Sequence, residues 1–132
     1  MGARHFTELI AWQLADDLRR FVFDHTSEGA IAQDWKFRAQ LRGASDGVCR
    51  NIAEGFGRYG HRDFAWFMTI AKGSLDEAED ALVAAHRRRY VDDETFEAGL
   101  RKIKRTNKAV LGLLRCLRHS EGPDPRPRPD LD

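Results

Sequence analysis

Residues 37–58 read FRAQLRGASDGVCRNIAEGFGR, and within them Phe37, Leu41, Ala44, Val48, Asn51 and Gly55 recur at intervals of 4, 3, 4, 3 and 4. An alternation averaging about 3.5 residues returns one face of a helix to the same side, turn after turn, and marks a packed seam. Gly57 and Gly60 then break the pattern. The seam ends on Asn51, Glu54, Gly55 and Arg58, an amide, a carboxylate, a glycine and a guanidinium, where apolar residues are expected. Glycine inside a helix costs about 1 kcal/mol relative to alanine. Polar groups on a seam cost more unless they find partners. Residues set against propensity point to a local requirement without naming an activity.

Three further stretches carry the same period. Thr7 is a candidate N-cap for a first helix with Ala11, Leu14, Leu18 and Phe21 on one face, ended by the polar run from Asp24 to Gly29. A third helix is predicted from Arg62 to Arg89, with Phe64, Met68, Ala71, Leu75, Ala78, Leu82 and Ala85 inward. Asp92 reads as the N-cap of the fourth, and Val91 with Phe96 occupies the two positions of a hydrophobic staple. The fourth seam is Phe96, Leu100, Ile103, Asn107, Val110, Leu114 and Leu117. All four prolines fall in the last ten residues, so the body of the chain is free to be helical. The expectation is an all-α protein: an antiparallel up-down-up-down four-helix bundle over residues 1–122, with a Pro-rich disordered tail at 123–132.

Composition narrows the class. The 132 residues are 42% hydrophobic and 33% charged, which suits one helix-rich globule. No apolar run approaches the ~20 residues of a membrane span, and the N-terminus lacks a secretory apolar core, so a cytoplasmic protein is expected, with no membrane partner. Cys49 and Cys116 stand apart and read as reduced thiols. Net charge is +1 but unevenly spread. Residues 86–119 carry ten Lys and Arg against four acids, whereas residues 61–85 carry two against five. Such asymmetry suits a polyanion, and equally suits head-to-tail self-association.

A second stripe on the third helix, Trp66, Ile70, Gly73 and Glu77, lies opposite its main seam, and Trp12, Trp35 and Phe56 also sit off their seams. A bundle needs one apolar stripe per helix, so a second one containing glycine suggests packing against another subunit; the alternative is a widened core. Asn51, Glu54 and Arg58 share one side of the second helix, and Ser74 and Glu77 are three apart on the third. They read either as a buried hydrogen-bond network fixing register between helices or subunits, or as a polar ligand site. Arg87, Arg88 and Arg89 with Arg101, Lys102, Lys104, Arg105 and Lys108 straddle the turn between the last two helices, and all of these but Lys108 are the candidate nucleic-acid contacts. Phosphate contact is one reading; a solvated helix end offsetting the macrodipole is the other. Tyr90 is the single interleaved aromatic, so binding would be dominated by the backbone and by salt.

Catalytic motifs are lacking. None of the five histidines has a Glu three residues before it, as a di-iron bundle requires, and no H-E-x-x-H or nucleophile arrangement is present. No enzyme activity, metal or cofactor is expected.

Phe6-x-x-Leu9-x-Ala11-Trp12-Gln13-x-Ala15, Gln40-Leu41-Arg42, the run from Asn51 to Arg58, Asp63-Phe64-x-x-Phe67, and Ile70-Ala71-x-Gly73-Ser74-Leu75 with Glu77 follow each other in order. In these the chain resembles the four-helix bundle proteins encoded in 23S ribosomal RNA intervening sequences, a family that includes the accessory protein of diversity-generating retroelements. The likeness runs from about residue 5 to 119. It implies an antiparallel bundle that assembles into a homopentamer, binds RNA or DNA, and has no known catalysis. The chain departs from the family pattern at Gly43, Gly47, Cys49 and Ala78, and in being near neutral where the retroelement relatives are strongly basic. Two other functions fit the residues. One is a protein–protein scaffold presenting the acidic third helix or the tail; the other is a small-ligand binder between subunits near Glu54 and Glu77.

Overall fold

The computed structural model describes residues 3–58 and 60–119; the Pro-rich tail expected at 123–132 lies outside them. Among the described residues every regular element is helical: a 3-10 turn at Phe6–Glu8, then α1 (Ile10–Asp24), α2 (Ala30–Gln33), α3 (Trp35–Gly57), α4 (His61–Arg87) and α5 (Asp93–His119). The four long ones are the four read from the sequence. Each packs against two others, α1 on α3 and α5, α4 on α3 and α5, so the core lies along the axis they share. Phe64, Met68, Leu18, Ile52, Leu75, Val48 and Val110 fill it with almost no exposure.

The N-terminus differs from the expected Thr7 cap. His5 takes that role for the 3-10 turn: its Nδ1 accepts from the Thr7 N–H at 3.4 Å, and the Glu8 carboxylate accepts from the His5 N–H at 3.2 Å. The Thr7 hydroxyl is itself bonded to His5 Nδ1 at 2.7 Å. Leu9 is extended (φ −72°, ψ 129°) and α1 starts only at Ile10. The local side-chain pairing competes with the helix and wins. The short α2 was also unforeseen, since four residues show no period.

Period explains where the seams shift. A strict 3.5 repeat drifts by about 20° per heptad on a straight helix. On α5 the buried positions are Gly99, Ile103, Thr106, Val110, Leu114 and Leu117, which average nearer to 3.6 and put Thr106 inside in place of Asn107. Asn107 is left half-buried, with its Oδ1 shielded and, among the described residues, without a hydrogen-bond partner. On α3 the inward residue is Ile52, and Asn51 sits half-buried beside it. On α1, Ala15 and Val22 are buried while Leu14 and Phe21 are half-buried, because the helix faces two neighbours. The buried hydroxyls are satisfied within their own helices: Thr106 Oγ1 donates to the Lys102 carbonyl at 2.7 Å and Ser45 Oγ to the Arg42 carbonyl at 2.9 Å.

Helices α3 and α4 pack over the greatest extent, and two glycines let them lie close. A Cβ on Gly55 would lie 2.8 Å from Phe67 Cβ and 3.0 Å from Phe64 Cδ1; one on Gly47 would lie 2.8 Å from Ser74 Oγ. Gly99 makes room in the same way for Leu82 and Phe21, where α5 meets α4 and α1. Phe67 Cβ cannot swing aside, so at Gly55 the helices themselves must move. Gly55→Ala is therefore expected to destabilise the protein by about 1–3 kcal/mol despite alanine's better helix propensity. Gly112→Ala, where an added Cβ meets nothing, is the control and should gain up to about 1 kcal/mol. Urea unfolding followed by circular dichroism reads both; equal effects would remove the packing argument.

Candidate nucleic-acid interface and the polar ridge

Helix α4 ends in a Schellman turn. The Tyr90 N–H donates to the Ala85 carbonyl at 2.9 Å and the Arg89 N–H to the His86 carbonyl at 3.0 Å, with Arg89 left-handed at φ 60°. Glycine is the usual residue there; an arginine costs roughly 1 kcal/mol. The chain then re-enters a helix under the expected cap, Asp92 Oδ1 accepting from the Thr95 N–H at 2.7 Å. Beside the turn, His86 Nε2 lies 2.7 Å from Asp93 Oδ1, and the His86 ring stacks on Phe96 with centroids 4.1 Å apart.

The seven cations expected to form one patch here separate into three groups. Arg88 lies along the surface, about half exposed: its guanidinium is 4.4 Å over the Phe37 ring, and Nη1 is 3.8 Å from Asp34 Oδ2. Asp34 also accepts from the Tyr90 hydroxyl at 2.7 Å and from the Phe37 N–H at 3.3 Å, so it caps α3 and holds the α4–α5 turn at once. Lys102 is drawn to α1, with Nζ 2.6 Å from Asp17 Oδ2 and 5.7 Å over the Phe21 ring. Arg87 and Arg89 remain exposed at the turn. Arg101, Lys104 and Arg105 are exposed too, but their first member sits about 12 Å along α5 from its start. Arg88 and Lys102 are thus structural clips, and the other five face solvent.

The polar residues of α3 and α4 are not joined in a network within the chain. Asn51 Nδ2 donates to the Gly47 carbonyl of its own helix at 2.7 Å. Glu54 and Arg58 form a surface ion pair at 2.7 Å, about half exposed, and the Arg58 guanidinium lies 5.0 Å over Phe67. Ser74 is half-buried against Gly47, and Glu77 is exposed. The outer ridge of α4 is open: Trp66 is 62% and Ile70 36% exposed, and a Cβ on Gly73 would meet nothing. Trp66 lines a shallow depression with Arg62, Asp63, Ala65, Thr69 and, from the end of α5, Arg118. Trp35 also faces out, whereas Trp12 and Phe56 pack against the core.

Among the described residues no three His, Cys, Asp or Glu side chains gather as a metal-ligand set. None of the helices described is long and apolar enough to cross a membrane. The two cysteines differ in character. Burial pushes the Cys49 thiol up to about 12, with Arg19 pulling the other way, while Cys116 is exposed. The clip at Asp34 was missed from sequence. Its position just ahead of Trp35 marks it as a cap, but nothing local announces a tyrosine 56 residues on.

The family model described as 23S rRNA-intervening sequence protein matches residues 7–112. A crystal structure of a protein of unknown function from the S23 ribosomal protein family of Bacteroides thetaiotaomicron superposes with a TM-score of 0.73. It is 18% identical, and the match covers 80% of this chain and 96% of that one. At that identity the likeness speaks for the fold. No curated protein matches the chain.

Two measurements check this electrostatic picture. An aromatic disulfide reagent should titrate one thiol, Cys116, in the native protein and two after denaturation; two fast native thiols would contradict the burial of Cys49. The Tyr90 hydroxyl, then the Phe37 N–H, hold the Asp34 carboxyl below its ordinary range. The folded state thus binds that proton less tightly than the unfolded chain, so the stabilisation is present above about pH 4 and lost as pH falls through the folded value. Asp34→Asn should be less stable than wild type at pH 7, with the difference in urea midpoint shrinking towards pH 3. A constant difference would place the effect elsewhere.

Proposed function

This chain belongs to the 23S rRNA-intervening sequence protein family, and on that premise we propose that it is a homopentameric, non-enzymatic bundle that binds RNA or DNA through its phosphates. The antiparallel up-down-up-down arrangement is supported by pairings that run in opposite senses along each pair of neighbours. Gly47 meets Ser74 while Gly55 meets Phe67; Asp17 meets Lys102 while Phe21 meets Gly99. Arg19 reaches Asp46 while Thr26 reaches Arg42, and His86 reaches Asp93 while Arg118 lies beside Trp66. The connections at 58–60 and 88–92 are as short as such neighbours need.

Subunits in this reading meet over the α4 ridge, where Trp66 and Ile70 offer apolar surface and Gly73 admits close approach. The ridge ends on Glu77, Asp76, Glu79 and Asp80, all exposed, which suits a basic partner surface on the next copy. The observation that carries the binding function is charge without a local partner. Arg87, Arg89, Arg101, Lys104 and Arg105 are exposed, and none pairs with a carboxylate among the described residues. Such cations displace counterions from a polyanion, and repetition over five copies multiplies a weak contact.

Fluorescence anisotropy of labelled structured RNA and duplex DNA against the full chain, titrated from low to high salt, tests the binding. Affinity should fall steeply with salt; no binding at low salt would overturn the reading in favour of the scaffold. Assembly is tested by light scattering, with a mass near five times the 15.1 kDa chain expected. A Cβ added at Gly73 meets nothing within its own protomer, so Gly73→Leu should leave helical content unchanged while lowering that mass. An unchanged mass would move the interface off the ridge.

A further inference from the structure

Helix α5 carries no Asp or Glu from Arg101 to His119. Over that length its exposed cations are Arg101, Lys104, Arg105, Lys108, Arg115 and Arg118. At 3.6 residues per turn Arg101, Lys104, Arg105, Lys108 and Arg115 fall on the side opposite Ile103, Thr106, Val110, Leu114 and Leu117, which are buried, while Arg118 falls on the flank towards Trp66 of α4. The result is one broad basic stripe, about 21 Å from Arg101 to Arg115 at 1.5 Å per residue. Lys102 is the neighbouring cation that leaves it, turned aside to Asp17. Among the described residues no carboxylate pairs with any of the six.

We propose that this outer face of α5, with Lys108 and Arg115 as members, is the surface that contacts the phosphate backbone of a double-helical nucleic acid. The inference rests on the nucleic-acid reading above and moves the centre of contact away from the α4–α5 turn. The macrodipole does not account for the stripe. Its influence is confined to the last turn, and Arg101, Lys104, Arg105 and Lys108 lie well before it. Solubility does not account for it either, since mixed charges solvate a helix equally well and a field of one sign is a feature of steering.

Shape selects the double helix. Duplex carries a phosphate charge about every 1.7 Å of its axis with both strands counted, so an about 21 Å length of this rigid rod holds on the order of twelve phosphates, and those on its near side lie within reach of the stripe. A single strand is held by aromatic platforms for its bases, and α5 has no Phe, Tyr or Trp between residues 101 and 119. At the middle of the stripe stands Gly112, which carries no side chain and faces open space. Contacts of this kind fix position without reading bases.

The test uses the full chain and three labelled probes of one sequence: a 20-base-pair RNA duplex, the corresponding DNA duplex, and the single strand. Anisotropy is recorded from about 50 to 200 mM salt for wild type, Lys108→Gln/Arg115→Gln, and Arg87→Gln/Arg89→Gln. The duplexes should bind wild type more tightly than the single strand. The α5 variant should lose at least tenfold in affinity and about 2 in the slope of log K against log salt, roughly one per contact removed. The turn variant should change less. Wild-type binding that survives intact in the α5 variant would overturn the α5 assignment and leave the nucleic-acid reading standing. A single strand bound as tightly as duplex would overturn the choice of partner. An α5 variant with altered scattering mass would make the stripe a subunit contact instead. Absence of wild-type binding to all three probes would remove both readings together.

Discussion

The close approach of α3 and α4 sets the geometry on which the rest of the bundle depends. Gly55 and Gly47 lie where any side chain would strike Phe67 or Ser74. With a methyl group at Gly55 the two longest-packed helices would separate, and Phe64, Met68 and Leu75 would lose the contacts that bury them. The helix-propensity cost of two glycines is about 1 kcal/mol each, small beside the burial of a phenylalanine and its neighbours. That trade explains the residues that look wrong for a helix. Gly55 belongs to the interior of the protomer, whereas Gly73, which shares its composition and its helical setting, faces open space. Identical residue types therefore serve different ends, and geometry alone tells them apart.

Electrostatics then divides the cations between structure and surface. Arg88 and Lys102 are each held by one carboxylate and one aromatic face, at Asp34 with Phe37 and at Asp17 with Phe21. Both clips tie elements distant in sequence, so both oppose the splaying of the helices at the surface. Exposed pairs of this sort contribute at most about 1 kcal/mol each. Their larger consequence is orientation. By engaging Arg88 and Lys102 with carboxylates they leave Arg87 and Arg89 at the turn and a row of unpaired cations on α5.

The helical period made most of the fold legible, and its limits are equally physical. Phe64, Met68, Ala71, Leu75, Ala78, Leu82 and Ala85 were read as the inner face of α4, and all are buried. The reading failed where a 3.5 repeat was extended along helices that are nearer 3.6, so Asn51 and Asn107 were set inside and Ile52 and Thr106 were not. It failed at Thr7 because a histidine can cap a 3-10 turn as well as a threonine can cap a helix. The candidate site was legible in kind but not in arrangement. A run of arginines in sequence is a cluster in space only if no partner draws one away, and Asp34 and Asp17 are too far along the chain to be foreseen. The α5 stripe, by contrast, is present in the spacing of 101, 104, 105, 108 and 115.

Near-neutrality of the whole chain is compatible with strong local fields, because the acids and bases occupy different faces. The acidic end of the α4 ridge, Asp76, Glu77, Glu79 and Asp80, and the α5 stripe are both exposed and of opposite sign. Within about a Debye length, ~8 Å at physiological salt, a bound polyanion responds to the face it touches and is little affected by the net charge. An assembly that packs the acidic ridge against a basic surface of the next copy covers charges of both signs and leaves the stripe outside. Self-association would then raise affinity for a polyanion by repeating the stripe on every copy. In that way a chain carrying a net charge of only +1 presents a locally basic face several times over.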